Sequence, residues 1–119
     1  MITKTALAMA AVSLLGTAQA NADQYQRWVE IINHGIGTVK SVHITTIAEP
    51  YPYRWGDVLG GRIYAGHSAI VEPYYDGGYC RFDIMVGYED GTEVPVWDVN
   101  LCTATTVDVS DMGYTQVSF

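Results

Sequence analysis

Short alternations of apolar and polar residues, each broken by Gly, Pro, Asn or Asp, run along the chain from Arg27 onward. A period of two is that of a strand with one buried face, whereas helical periodicity is hard to find. Arg27 to Ile32 reads as a first strand, ended by Asn33-His34-Gly35. Val39 to Ile47 is a second, with Val42 and Ile44 on one face and His43 on the other. Glu49 to Gly61 holds two prolines and several glycines, so it reads as an irregular loop. Arg62 to Tyr64 offers a short strand. Ser68 to Glu72 follows the turn Ala65-Gly66-His67, and Pro73 to Gly78 is a second loop. The clearest alternation is Arg81 to Tyr88, with Phe82, Ile84, Val86 and Tyr88 on one face. Glu89-Asp90-Gly91-Thr92 supplies a hairpin turn whose Gly can take positive φ. Val94 to Leu101 returns, and Thr103 to Val109 and Tyr114 to Phe119 complete about seven strands. The expected fold is all-β, a small antiparallel β-sandwich of Ig-like general architecture, with a small β-barrel as the alternative.

The hairpin carries a register conflict. Cys80 and Cys102 lie eleven residues either side of Gly91, so a regular hairpin centred there sets them opposite each other. That register turns Trp97, Val99 and Leu101 away from Phe82 and Ile84. A bulge near Val96-Trp97 restores the common apolar face and shifts the cysteines by one. Pro95, which cannot donate to a ladder, points to an edge or bulge there.

The first twenty residues belong to a different pattern. Lys4 charges a short start, Ala6 to Leu15 is an apolar run too short to span a bilayer, and Ala18-Gln19-Ala20 is a small-residue cleavage site. Residues 1–20 therefore read as a secretory signal peptide, and residues 21–119 as one domain. The expected location is periplasmic or extracellular. Phe119 raises the idea of an outer-membrane barrel. The alternate positions Val117, Thr115, Gly113 and Asp111 are not an apolar series, which argues against it.

Charge and cysteine content sharpen this picture. Beyond the signal, Arg27, Lys40, Arg54, Arg62 and Arg81 stand against thirteen acids, a net charge of −8. Such a chain does not bind nucleic acid or an anionic membrane through a basic face. The two cysteines, Cys80 and Cys102, read as one structural disulfide in an oxidising compartment. A redox-active pair would need closer spacing.

Candidate chemistry is thin. His34, His43 and His67 show no short ligand spacing for zinc. Ser68 and Ser110 lack a nucleophile turn. Asp76, Glu89, Asp90, Glu93, Asp108 and Asp111 lie in or beside turns and could offer oxygen to Ca²⁺, but without EF-hand spacing. The chain reads as needing no cofactor or metal. The aromatics say more. Tyr51, Tyr53 and Trp55 fall in one loop and Tyr74, Tyr75 and Tyr79 in the other, where stiff amphipathic rings suit protein or glycan recognition. Trp55 also suits a loop anchor over the core.

Several segments, taken in order, are similar to those of a loosely defined group of small secreted bacterial proteins of unknown function. They are Ile32-Asn33-His34-Gly35, Trp55-Gly56-Asp57-Val58-Leu59-Gly60, Gly78-Tyr79-Cys80-Arg81-Phe82-Asp83-Ile84, Tyr88-Glu89-Asp90-Gly91 and Asp98-Val99-Asn100-Leu101-Cys102. The resemblance implies a compact β domain with a cysteine pair and carries no catalytic residue across. His34 and the Pro50 to Tyr53 stretch depart from the group's pattern. The expected function is a secreted or periplasmic, non-enzymatic binding or structural module. The rival is a small hydrolase or inhibitor. Neither ligand nor oligomeric state is legible at this level.

Overall fold

The computed structural model describes residues 26–49 and 55–119. The signal segment and Tyr51 and Tyr53 lie outside the described residues. The strands are β1 (Val29–Asn33), β2 (Val39–Thr46), β3 (Ser68–Val71), β4 (Arg81–Tyr88), β5 (Glu93–Asn100), β6 (Thr106–Val109) and β7 (Thr115–Ser118). They form a four-stranded sheet in the order β3-β1-β6-β7 and a three-stranded sheet in the order β2-β4-β5. The sheets face each other as a sandwich and do not close into a barrel. All ladders are antiparallel except β1 with β6, which run parallel with Ile31 opposite Val107.

Period-two alternation explains each strand. In β1 the residues Val29, Ile31 and Asn33 point inward, and in β4 Phe82, Ile84, Val86 and Tyr88 are all fully buried. Val42 and Ile44 of β2, Val99 beyond β5's midpoint and Val107 and Val109 of β6 meet them in one apolar core. Arg62 to Tyr64 does not extend into a strand. Ile63 alone bridges Val39, exchanging both backbone hydrogen bonds with it, between the glycines at 60 and 61 and the turn at 65 and 66.

Both demands of the hairpin are met. From Gly87–Glu93 to Ile84–Val96 the pairing is regular, and then Phe82 pairs with Val99. Trp97 and Asp98 thus oppose Asp83 alone, a bulge one residue past the expected place. Asp98 has φ of 55°, and three contacts hold it. Its N–H donates to Asp83 Oδ1 at 2.9 Å. Arg81 donates from Nε to its carboxylate at 2.6 Å and from Nη2 to its carbonyl at 3.4 Å. The bulge returns Val99 and Leu101 to the core and leaves Trp97 facing solvent. Past it, Leu101 N–H bonds the Cys80 carbonyl, and the turn at 101–103 slips one residue more. Cys102 then reaches Cys80, with a disulfide across a Cα separation of 5.2 Å.

The end of the sandwich that holds the β4–β5 hairpin is polar and tightly bonded. Asn33 is fully buried. Its Nδ2 donates to the carbonyls of Gly37 (2.9 Å) and Ile63 (3.0 Å). Its Oδ1 accepts from Gly35 N–H (2.9 Å) and from the Tyr88 hydroxyl (2.8 Å). Asp111 receives the N–H of Ile36 and Gly37, and His34 meets Asp108 at 2.9 Å. Burial, and then the nearby Asp111 carboxylate, push the Tyr88 hydroxyl up from 10.0 to about 12. The unfolded chain ionises this group first, so its contribution to stability is intact below pH 10 and drains away as pH climbs from 10 to about 12. An alkaline titration followed by phenolate absorbance is expected to show one of the nine tyrosines ionising late. Tyr88→Phe is expected to remove that late step. A wild-type titration without it would contradict the burial of Tyr88.

Candidate functional site

The opposite end collects the ends of β2, β3, β5 and β7 and the starts of β1, β4 and β6, so every loop between residues 46 and 81 that carries an aromatic cluster opens there. The first of these loops is laid along the edge of β2. Asp57 Oδ1 accepts the N–H of Val42 and of Leu59, both at 2.9 Å, and the Val42 carbonyl accepts Val58 N–H. His43 Nδ1 bonds the carbonyl of Trp55 at 2.9 Å, which requires the proton on Nδ1. The Trp55-Gly56-Asp57 run therefore seals a sheet edge that would otherwise be open for pairing. It also drops the Trp55 ring onto the core, edge-on to Phe82 with centroids 6.2 Å apart. The loop-anchor role for Trp55 is met in this contact.

The second loop comes to the same place from β3. Tyr75 stands edge-on to Trp55, again at 6.2 Å, and Tyr74 bonds the Asp57 carbonyl through its hydroxyl at 2.7 Å. Gly56 lies under the Tyr74 ring, where a Cβ would come within 3.4 Å of it. Gly77 sits between Tyr75 and Tyr79. Its φ is 55°, and a Cβ there would lie 2.9 Å from one ring and 3.1 Å from the other. Glycine is thus needed twice over, for the left-handed backbone and for the space. The loop is fixed from beneath by Arg27, whose Nε donates to the Tyr79 carbonyl at 2.6 Å and whose guanidinium lies 3.6 Å from Asp76. Arg27 is itself buried, an unusual place for arginine, made tolerable by these partners.

The structure therefore brings Trp55, Tyr74, Tyr75 and Tyr79 together, while Tyr51 and Tyr53 lie outside the described residues. The rings remain open to solvent, Tyr74 at 74%, Tyr75 at 67% and Tyr79 at 47%. Trp28 was missed by sequence reasoning and adds a further exposed indole at this end. The available signal was parity, since Trp28, Glu30 and Ile32 alternate with the buried Val29 and Ile31. Shallow grooves of about 300 to 450 Å³ surround the rings. One lies between Thr46-Ile47-Ala48 at the end of β2 and Tyr79-Cys80-Arg81 at the start of β4.

Five of the six turn carboxylates considered for Ca²⁺ have other partners. Asp76 caps Gly78 N–H, Asp90 caps Thr92 N–H, Glu89 pairs with Arg62, and Asp108 and Asp111 serve the polar end. The Thr92 bond holds the Asp90 carboxyl below its usual range. Among the described residues no three His, Cys, Asp or Glu side chains gather as a metal site. Also among them, no helix is long and apolar enough to cross a membrane.

No protein-family model and no curated protein matches the chain. Among solved structures it is similar to the NMR structure of a protein from Eubacterium rectale. The identity is 14%, the match covers 83% of this chain and 91% of that one, and the TM-score is 0.50. At this identity the likeness speaks for the shared fold. The site rests on its own geometry.

Proposed function

We propose that the domain is an exported, non-enzymatic binding module that holds a macromolecular partner on its aromatic end. The observation that carries this reading is the convergence of two loops about twenty residues apart in sequence, with Tyr75 edge-on to Trp55 and Tyr74 bonded to Asp57. Rings fixed in place lose little freedom on binding, and Tyr and Trp offer large amphipathic contact area, so such a cluster suits recognition. Export is supported by the signal-like first twenty residues and by a disulfide of the kind that persists in oxidising compartments.

The test is a double variant, Tyr74→Ser with Tyr75→Ser, immobilised beside the wild type and challenged with cell-envelope and culture-medium fractions of the producing organism. The wild type is expected to retain a partner that the variant releases, with melting temperatures nearly equal because both rings are mostly exposed. A variant that unfolds would place the tyrosines in the core. Equal retention would move the contact surface elsewhere. Either result overturns the reading.

A further inference from the structure

The aromatic end does not stop at the loops. Beyond the groove beside Tyr79, the outer face of β4 and β5 presents Arg81, then the bulge with Asp98 and Trp97. Trp97 is 57% exposed, a large indole on an open sheet face. Tyr79 and Arg81 line one groove. Tyr79 stands two residues before Arg81, which opens β4, and Trp97 lies on β5 opposite Asp83, two residues further along and one strand spacing of about 4.8 Å across. The ion pair between the two rings is fixed rather than floppy. Arg81 grips both the carboxylate and the carbonyl of Asp98, yet each side chain stays about half exposed, at 52% and 51%. The result is a strip in the order ring, polar plate, ring.

We infer that this strip, Tyr79, Arg81 with Asp98, and Trp97, binds a linear neutral glycan, its sugar faces on the two rings and its hydroxyls on the ion pair. The inference rests on the binding-module reading above and names the class of its ligand. The axial CH groups of a pyranose carry slight positive charge, which the negative face of an indole or phenol ring attracts. A guanidinium offers donors and a carboxylate offers acceptors, the complement that vicinal hydroxyls need. Arg81 and Asp98 cancel each other, and Asp83, whose Oδ1 accepts the Asp98 N–H, adds one negative charge, so the strip has nothing with which to hold an anionic chain. The domain's excess of acids repels a polyanion. The site is shallow and extended, which suits several sugar rings in line better than one small apolar molecule.

The experiment follows the three indole N–H resonances of the labelled domain, assigned by single Trp variants, during titration with cellohexaose, maltohexaose, chitohexaose and mannohexaose. Deca-lysine and an oligogalacturonate serve as charged probes. At least one neutral hexasaccharide is expected to move the Trp97 resonance, with an affinity little changed by added salt. Trp97→Ala is expected to weaken that binding about tenfold, the size of one lost ring contact, and Tyr79→Ser by a similar factor. The melting temperature of Trp97→Ala is expected to stay near that of the wild type, since this ring is outside the core. No shift at Trp97 with any of the four neutral sugars overturns the inference, and so does binding of deca-lysine alone. The binding-module reading can stand while the glycan inference falls. If the wild type retains a partner that Tyr74→Ser with Tyr75→Ser releases, while Trp97→Ala and excess hexasaccharide leave it bound, the aromatic end binds something other than a glycan.

Discussion

Asn33→Ala is expected to bring the domain close to global unfolding. The side chain makes four hydrogen bonds, to Gly37, Ile63, Gly35 and Tyr88, three of them buried. Alanine abandons all four partners at once. Each buried group left without a partner costs about 1–3 kcal/mol, so even with water re-entering at the rim the total is about 4 kcal/mol or more. A domain of this size has roughly 5–15 kcal/mol to lose. Tyr88→Phe removes only the hydroxyl and is expected to cost about 1–2 kcal/mol, since Asn33 Oδ1 keeps the Gly35 N–H. Urea melts of the two variants check the ordering. A loss below about 1 kcal/mol for Asn33→Ala would mean that ordered water replaces the side chain in full.

Removing the disulfide, by reduction or as Cys80→Ser with Cys102→Ser, is the second large effect. The bond closes a loop with a sequence separation of 22. On the chain-entropy account, which is model-dependent, a loop of that length is worth roughly 3 kcal/mol. For a domain of this size that corresponds to a fall in melting temperature of more than about ten degrees. The loss has a local signature as well. Cys80 lies between β4 and Tyr79, whose carbonyl is bonded to Arg27, so the aromatic loop is anchored at two adjacent residues. Calorimetry with and without reductant measures the first effect. A shift of only a degree or two would show that the β4–β5 ladder already sets the unfolded-state constraint by itself.

The strands were legible because alternation is local. Phe82, Ile84, Val86 and Tyr88 announce their face within eight residues, and the structure keeps all four inside. The bulge was legible as a contradiction between cysteine spacing and apolar parity, and the structure resolves it with Trp97 and Asp98 rather than one residue earlier. Sheet membership was not legible. Nothing in β1 says that its neighbours are β3 and β6, because those pairings cross tens of residues and are chosen by the whole core. The burial of Arg27 was not legible either, because only the folded loop supplies the Tyr79 carbonyl and Asp76 that surround it. Of the site, the ring-rich loops were visible as composition, while their meeting depended on Gly56 and Gly77 clearing room for Tyr74, Tyr75 and Tyr79. Arg81 and Asp98 drew no notice as a pair, since the bulge that brings them together is a property of two strands together.

The parallel ladder between β1 and β6 has a consequence for the order of events in a newly made chain. Glu30 lies opposite Thr106, so β1 finds this neighbour only after all the intervening strands have been made. The sheet of β2, β4 and β5 can assemble from nearer parts, but the other layer stays incomplete until β6 and β7 have been made. A nascent chain with this topology is slow to close, because the longest loop must be fixed before its contacts can form. On the proposal that the domain is exported, that delay would leave time for an extended chain to pass a translocation pore.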